Sequence, residues 1–122
     1  MCLFIEYFCT FTFSKTEKIY KMNTPQRPKL ETLKTEDSFK INEVTGLAGM
    51  VMPLHYSTRE AIVIVQEGSA IFSIDKQNVR LDRNNSYIIP AHKNHSLMLE
   101  TDFKALVIMG LDSKIEFVKY LN

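Results

Sequence analysis

A series of short segments with alternating apolar and polar residues, from Phe39 to Met109, most strongly constrains how this chain folds. Turn-forming residues interrupt the series, for example Ser57-Thr58-Arg59 and the run from Asp82 to Asn85. Alternation with a period of two is typical of strands that bury one face, and turn signals roughly every 8 to 12 residues are typical of all-β sandwiches and barrels. The pattern predicts strands at residues 39–46, 50–54, 61–65, 70–74, 79–81, 87–89, 96–99 and 103–109.

The chain is predicted to hold one domain, because 122 residues suffice for a single core. Residues 38–112 are assigned to a β-barrel, and residues 1–37 to an N-terminal extension and linker. Residues 113–122 are predicted to form a short C-terminal helix, in which Ser113 caps the first turn and Ile115 and Val118 share a face.

The first 21 residues differ from the rest, since they contain both cysteines and many aromatic residues. They lack the basic start, clean apolar core and small-residue cleavage site of a secretory signal. Either translation begins at Met22 or the segment supplies an extra edge strand. The Cys2 and Cys9 spacing fits neither a zinc pair nor a disulfide framework, so a reducing cytoplasm is the expected location.

The charge balance limits the partners. With 15 basic and 14 acidic residues, the net charge of +1 gives no field that would attract nucleic acid or anionic lipid. The longest apolar runs, such as Ala61–Val65, are far shorter than the roughly 20 residues of a membrane span. We therefore expect neither a nucleic-acid nor a membrane partner.

Two stretches resemble the paired motifs of the cupin superfamily. The stretch from Gly49 through His55 to Gly68 is similar to the first motif, G-x5-H-x-H-x3,4-E-x6-G. The stretch from Asn84 to His95 is similar to the second, G-x5-P-x-G-x2-H-x3-N. The resemblance covers about residues 46–109 and implies a double-stranded β-helix, which is a jelly-roll barrel with a central cavity.

The resemblance also implies a metal site, because cupins that bind a divalent metal use three histidines and a glutamate. His55 and His95 match two of these positions, whereas Ser57 and Ala61 stand where a histidine and the glutamate belong. Ser57 is a poor ligand for zinc or iron.

Two further residues are candidate replacements. Glu60 precedes the glutamate position by one residue, so a bulge or turn must redirect its side chain inward. His92 replaces a motif glycine, three residues before His95. With His55 and His95, either residue would complete a three-ligand site for Fe, Mn, Ni or Zn. Otherwise His55 and His95 line a metal-free cavity and no cofactor is needed.

The predicted cavity wall contains small or apolar side chains and a few hydrogen-bonding groups, which suits a small, largely apolar molecule with one polar end. The same side chains would also suit a filled barrel without a cavity. The predicted lining residues are His55, Ser57, Ala61, Val63, Phe72 and His95.

Three functional classes follow from these observations. The first, which we favour, is a small-molecule-binding barrel without a metal, since the residues form no recognisable catalytic arrangement. The second is a mononuclear metal enzyme of the dioxygenase or isomerase type that the resemblance implies, using His55, His95 and Glu60 or His92. The third is a partner-binding role, because cupins commonly form homodimers and the Ala61–Val65 run is apolar on both faces.

Overall fold

The computed structural model describes residues 27–119, which form ten antiparallel strands in two five-stranded sheets. Sheet A has the strand order β1-β2-β9-β4-β7, and sheet B has the order β10-β3-β8-β5-β6. The strands are β1 (Lys29–Thr35), β2 (Phe39–Gly46), β3 (Val51–Ser57), β4 (Ala61–Glu67), β5 (Ala70–Ile74), β6 (Gln77–Leu81), β7 (Ser86–Ile89), β8 (His95–Leu99), β9 (Phe103–Gly110) and β10 (Ile115–Phe117).

The core lies between the two sheets because each central strand buries alternate side chains. In β9, Phe103, Ala105, Val107 and Met109 are buried, while the residues between them are only partly covered. Phe72 and neighbouring residues of sheet B pack against them from the opposite side. The strands predicted between Phe39 and Met109 correspond to β2 through β9, so the prediction of an all-β jelly-roll architecture is confirmed.

Strand β1 extends sheet A into a region that the sequence assigned to the linker. Lys29–Thr35 pairs with β2, with Leu30 opposite Val44 and Thr35 opposite Lys40. Every residue of β1 is exposed, so its pairing depends mainly on backbone hydrogen bonds. Leu30 reaches the space between the sheets, and the Thr32 hydroxyl donates to Asn42 Oδ1 at 2.8 Å. An edge strand of this kind leaves no alternating pattern in the sequence.

The prediction of a C-terminal helix over residues 113–122 is wrong where the structure describes it. Residues 115–117 instead form β10, which pairs with β3 so that Ile115 lies opposite Ser57 and Phe117 opposite His55. The backbone N–H of Thr58 donates to the Lys114 carbonyl, and the Lys114 N–H donates to the Thr58 hydroxyl, each at 2.9 Å. Pairing with the edge of β3 therefore outweighs the weak helical spacing, and within residues 27–119 no residue is helical.

The possible edge strand within residues 1–21, the possible start at Met22 and the end of the predicted helix at residues 120–122 lie outside the described residues. In residues 27–119, no helix has the length and apolar character that crossing a bilayer requires.

Sheet A carries a row of four isoleucines on its outer face. Ile41 pairs with Ile108, Ile108 pairs with Ile62, and Ile62 pairs with Ile88, across β2, β9, β4 and β7. Ile62 is 40% exposed and Ile88 is 61% exposed, so half of the row faces solvent openly. Neighbouring strands lie about 4.8 Å apart, so this isoleucine row spans roughly 14 Å.

Candidate ligand cavity

A cavity of about 70 Å³ lies between the two sheets. Sheet A contributes only apolar side chains to its wall, among them Val63 and Val107. The polar groups all come from β3 and β8 of sheet B, so the cavity has one polar side and one apolar side. The structure brings all six residues of the predicted lining to this wall: His55, Ser57, Ala61, Val63, Phe72 and His95.

A β-bulge in β3 directs His55 into the cavity. Met52 lies opposite Leu97 and His55 opposite His95, so β3 advances three residues while β8 advances two. The extra residue lies at Pro53-Leu54, where a proline without an N–H fits an interrupted ladder. Because of the bulge, Met52 and His55 both line the cavity although their odd spacing would place them on opposite faces of a regular strand.

His95, the first residue of β8, lies directly beside His55. The two rings meet edge to face, with centroids 4.2 Å apart and planes at 66°. Phe72 contacts His95 from β5 at 5.1 Å between centroids, and Phe117 contacts His55 from β10 at 5.3 Å. The aromatic neighbours leave His55 only 9% and His95 only 4% exposed.

The backbone fixes the same tautomer in both histidines. The Nδ1 of His55 lies 2.6 Å from the Pro53 carbonyl oxygen, and the Nδ1 of His95 lies 2.8 Å from the Lys93 carbonyl oxygen. A carbonyl can only accept, so Nδ1 carries the proton in each ring and Nε2 keeps its lone pair. Neither Nε2 is hydrogen-bonded to another residue within 27–119.

Both rings are held in the neutral state. Burial, and to a smaller extent the neighbouring His55, together lower the pKa of His95 to about 4. Burial also lowers the pKa of His55, against the opposing effect of its hydrogen bond to Pro53. At neutral pH the polar side of the cavity therefore consists of two uncharged imidazoles.

Ser57 and Ala61 occupy the positions where the motif has a histidine and a glutamate. Both side chains are buried at the wall, but the Ser57 hydroxyl donates to the Arg59 carbonyl at 2.8 Å, and Ala61 has no ligating atom. The backbone thus presents both positions to the cavity without the side chains that would bind a metal.

Glu60 and His92 are not brought to the cavity. Both are exposed and neither forms part of its wall. The regular pairing of β4 begins at Ala61, which points inward, and the exposed Glu60 directly precedes it. The His92 ring lies 6.0 Å from the Tyr56 ring, centroid to centroid, at the outside of the barrel.

The donor set does not fit the metal site that the family motif implies. His55 and His95 are two suitable neutral imidazole ligands, but no group of three histidine, cysteine, aspartate or glutamate side chains able to hold a metal occurs in residues 27–119. A facial triad or a tetrahedral protein site needs at least three such ligands.

Several residues of the cavity wall were not predicted from the sequence. Ile115 and Phe117 line the wall from β10, in the segment predicted as helix, and Met52 lines it because of the bulge. The apolar-polar-apolar order of Ile115, Glu116 and Phe117 was a strand signal, although three residues are too few to decide.

The backbone of the second motif follows the family pattern even where its glycines are replaced. Asn84 and His92 stand at the two glycine positions, and both have positive φ angles, 71° and 63° respectively. In the first motif, Gly68 itself has a φ of 81°. Left-handed backbone at these turns is what the motif glycines allow.

Comparison with solved structures gives the same fold. An RmlC-like cupin from Desulfovibrio desulfuricans shares 27% identity over 69% of this chain and 82% of its own, with a TM-score of 0.61. A cupin superfamily protein from Desulfitobacterium hafniense shares 22% identity over 70% and 79%, with a TM-score of 0.64.

An enzyme also shares the fold. DMSP lyase DddQ from Ruegeria pomeroyi shares 24% identity over 75% of this chain and 52% of its own, with a TM-score of 0.68. No family model matches the sequence, and no curated protein matches it. The barrel topology, the two motifs and the cupins of similar structure agree, and together they support assigning the chain to the cupin superfamily.

Proposed function

We propose that this chain is a small-molecule-binding cupin that works without a metal. The observation that carries the proposal is the composition of the cavity wall, where two neutral imidazoles and one hydroxyl interrupt an otherwise apolar lining. Few polar groups in an apolar concave site are typical of small-molecule binding. Residues 27–119 do not supply the third side-chain ligand that a metal enzyme would need beside His55 and His95.

The metal part of this proposal is tested by elemental analysis. The full chain is purified without an affinity tag or chelator from cells grown with added Fe, Mn, Ni and Zn. We expect far less than one metal ion per chain, with no difference between the unmodified protein and the His95→Ala variant. Stoichiometric metal that disappears in His95→Ala would overturn the proposal. That result would favour the mononuclear metal enzyme, with Glu60 or His92 as the third ligand.

The binding part is tested with 1-butanol, a small probe with an apolar body and one polar end. Titration is followed by the NMR shifts of the Val63 and Val107 methyl groups, which line the cavity. We expect saturable shifts that disappear in Ala61→Leu, because the larger side chain fills space at the wall. The matched control is Ile62→Leu, at the next position, which points outward and should bind normally. Unchanged methyl shifts in the unmodified protein would refute cavity binding.

We also propose that the isoleucine row on the outer face of sheet A binds a second copy of the chain. The four isoleucines carry no charge, and the next residue in register, Lys34 opposite Ile41, lies at the β1 end of the row. Two copies related by a two-fold axis can therefore bring the isoleucines together while the lysine stays at the rim in solvent. Exposed apolar patches on small proteins are typical of association sites.

Light scattering over a range of concentrations tests the dimer. We expect a dimer mass for the unmodified chain and a monomer mass for Ile62→Lys. The control is Val51→Lys, an equally exposed apolar position on sheet B, which should remain dimeric. A monomer mass for the unmodified chain at every concentration would overturn this proposal.

A further inference from the structure

We infer that the cavity selects an uncharged molecule whose polar end donates a hydrogen bond to Nε2 of His55 or His95. This inference rests on the proposed small-molecule function and specifies its ligand class. An alcohol of about four carbons is the simplest member of the class.

The direction of the hydrogen bond follows from the two backbone carbonyls. The Pro53 and Lys93 oxygens each receive the Nδ1 proton of one ring, at 2.6 Å and 2.8 Å. Each Nε2 is then a pure acceptor, since a neutral imidazole carries only one N–H. Ser57 does not reverse this polarity, because its hydroxyl proton already goes to the Arg59 carbonyl at 2.8 Å.

The absence of charge follows from the wall. No lysine, arginine, aspartate or glutamate within residues 27–119 lines the cavity. Arg27 lies over the Phe117 ring, 4.5 Å from the ring centroid, and its charge acts on His55, but Arg27 is not part of the wall. A carboxylate or ammonium entering the cavity would therefore lose its hydration without direct contact with an opposite charge.

The size follows from the cavity volume. The volume of about 70 Å³ is smaller than an engineered apolar cavity of roughly 150 Å³ that accepts benzene. A branched or linear chain of a few carbons therefore fits, whereas a six-membered ring requires the walls to move. Apolar contacts with Val63 and Val107 would hold the carbon chain, opposite the two histidines.

The test compares three probes of similar size by NMR titration of the full chain: 1-butanol, its isomer methyl propyl ether, and butyrate. The ether has the same atoms as the alcohol but no donor, so we expect it to bind about tenfold more weakly. Butyrate should produce no saturable shift. If none of the probes binds, the proposed binding function itself fails. If the ether or butyrate binds as tightly as the alcohol, the cavity binds small molecules but this inference is overturned.

A pair of variants assigns the acceptor. His95→Phe keeps a ring at the wall but removes Nε2, and we expect the advantage of the alcohol over the ether to shrink severalfold. His92→Asn removes an imidazole from the exposed turn and should leave that advantage intact. An unchanged alcohol-to-ether ratio in both His95→Phe and the corresponding His55→Phe would also overturn the inference.

Discussion

His55 and His95 are direct partners in the antiparallel pairing of β3 with β8, and their rings lie 4.2 Å apart, edge to face. The pairing register that closes sheet B therefore also determines the polar side of the cavity. A one-residue slip between these strands would turn one imidazole out of the barrel. Strand pairing and the chemistry of the site are in this sense one structural feature.

The two histidines should make the protein less stable in mild acid. The pKa of His95 is about 4 in the folded protein and 6.5 in the unfolded chain, so the unfolded state takes up a proton first as the pH falls. The stabilisation is complete above 6.5 and is lost as the pH falls from there towards about 4. Between about pH 7 and pH 5, His95 alone should lower the free energy of unfolding by about 2 kcal/mol. The lowered pKa of His55 acts in the same direction.

Urea denaturation at both pH values measures this loss. The His95→Phe variant should lose much of the pH dependence, and His92→Asn should retain it. Equal unfolding free energies at the two pH values in the unmodified protein would contradict the prediction.

Replacing Ser113 by alanine should stabilise the protein. Ser113 is 1% exposed, and its hydroxyl oxygen has no hydrogen-bond partner within the described residues. Removing an unsatisfied buried hydroxyl relieves its desolvation penalty, so Ser113→Ala should raise the unfolding free energy by about 1 kcal/mol. Ser57→Ala provides the contrast, since the Ser57 hydroxyl is bonded to the Arg59 carbonyl and its loss should cost about 1 kcal/mol. Thermal unfolding would contradict the prediction if both variants were destabilised equally.

Gly68 should tolerate no side chain. Its φ is 81°, and a Cβ added there would overlap the carbonyl oxygen of Asp102. Gly68→Ala therefore combines backbone strain with a clash against the main chain, and we expect a loss of roughly 2–4 kcal/mol. Gly49 has a similar φ of 90° but open space around the added Cβ, so Gly49→Ala should cost only about 1 kcal/mol. Chemical denaturation measures the loss of unfolding free energy in each variant. Equal losses in Gly68→Ala and Gly49→Ala would contradict the prediction, because they would show that the clash with Asp102 adds nothing to the backbone strain.

Restoring the motif glycine at His92 should stabilise the turn without affecting the cavity. His92 has a φ of 63° and an exposed side chain, so His92→Gly relieves left-handed strain worth about 1 kcal/mol. The backbone N–H of this residue donates to the Ser57 carbonyl at 2.8 Å, and glycine preserves that bond. The melting temperature should rise while 1-butanol binding remains unchanged. Weaker binding in this variant would show that the His92 side chain takes part in the site.

The sequence was sufficient to predict the architecture because most strands bury one face. Alternation in the region from β2 to β9 is strong, and the inward positions of His55 and Ala61 could be predicted from the motif spacing. The two ends of the described fold were not predictable in this way. β1 is exposed throughout, and β10 depends on hydrogen bonds between Thr58 and Lys114 that no local pattern reveals.

The site was predictable in composition but not in detail. Two features could not be found from residue spacing: the bulge at Pro53-Leu54, and the carbonyl oxygens that fix the imidazole tautomers. Both depend on the local course of the backbone. The exposed position of Glu60 likewise depends on where the regular pairing of β4 begins, at Ala61.

The central position of β9 in sheet A has a consequence for how the protein is made. β9 lies between β2 and β4, and Phe39 pairs with Gly110, so the two halves of sheet A can join only after residues 103–110 have been synthesised. Pairings between residues so distant in sequence are slow to form, typically in milliseconds to seconds. During translation, β2 and β4 therefore each keep one unpaired edge until β9 has emerged from the ribosome. The yield of folded protein should respond to chaperones that shield these edges.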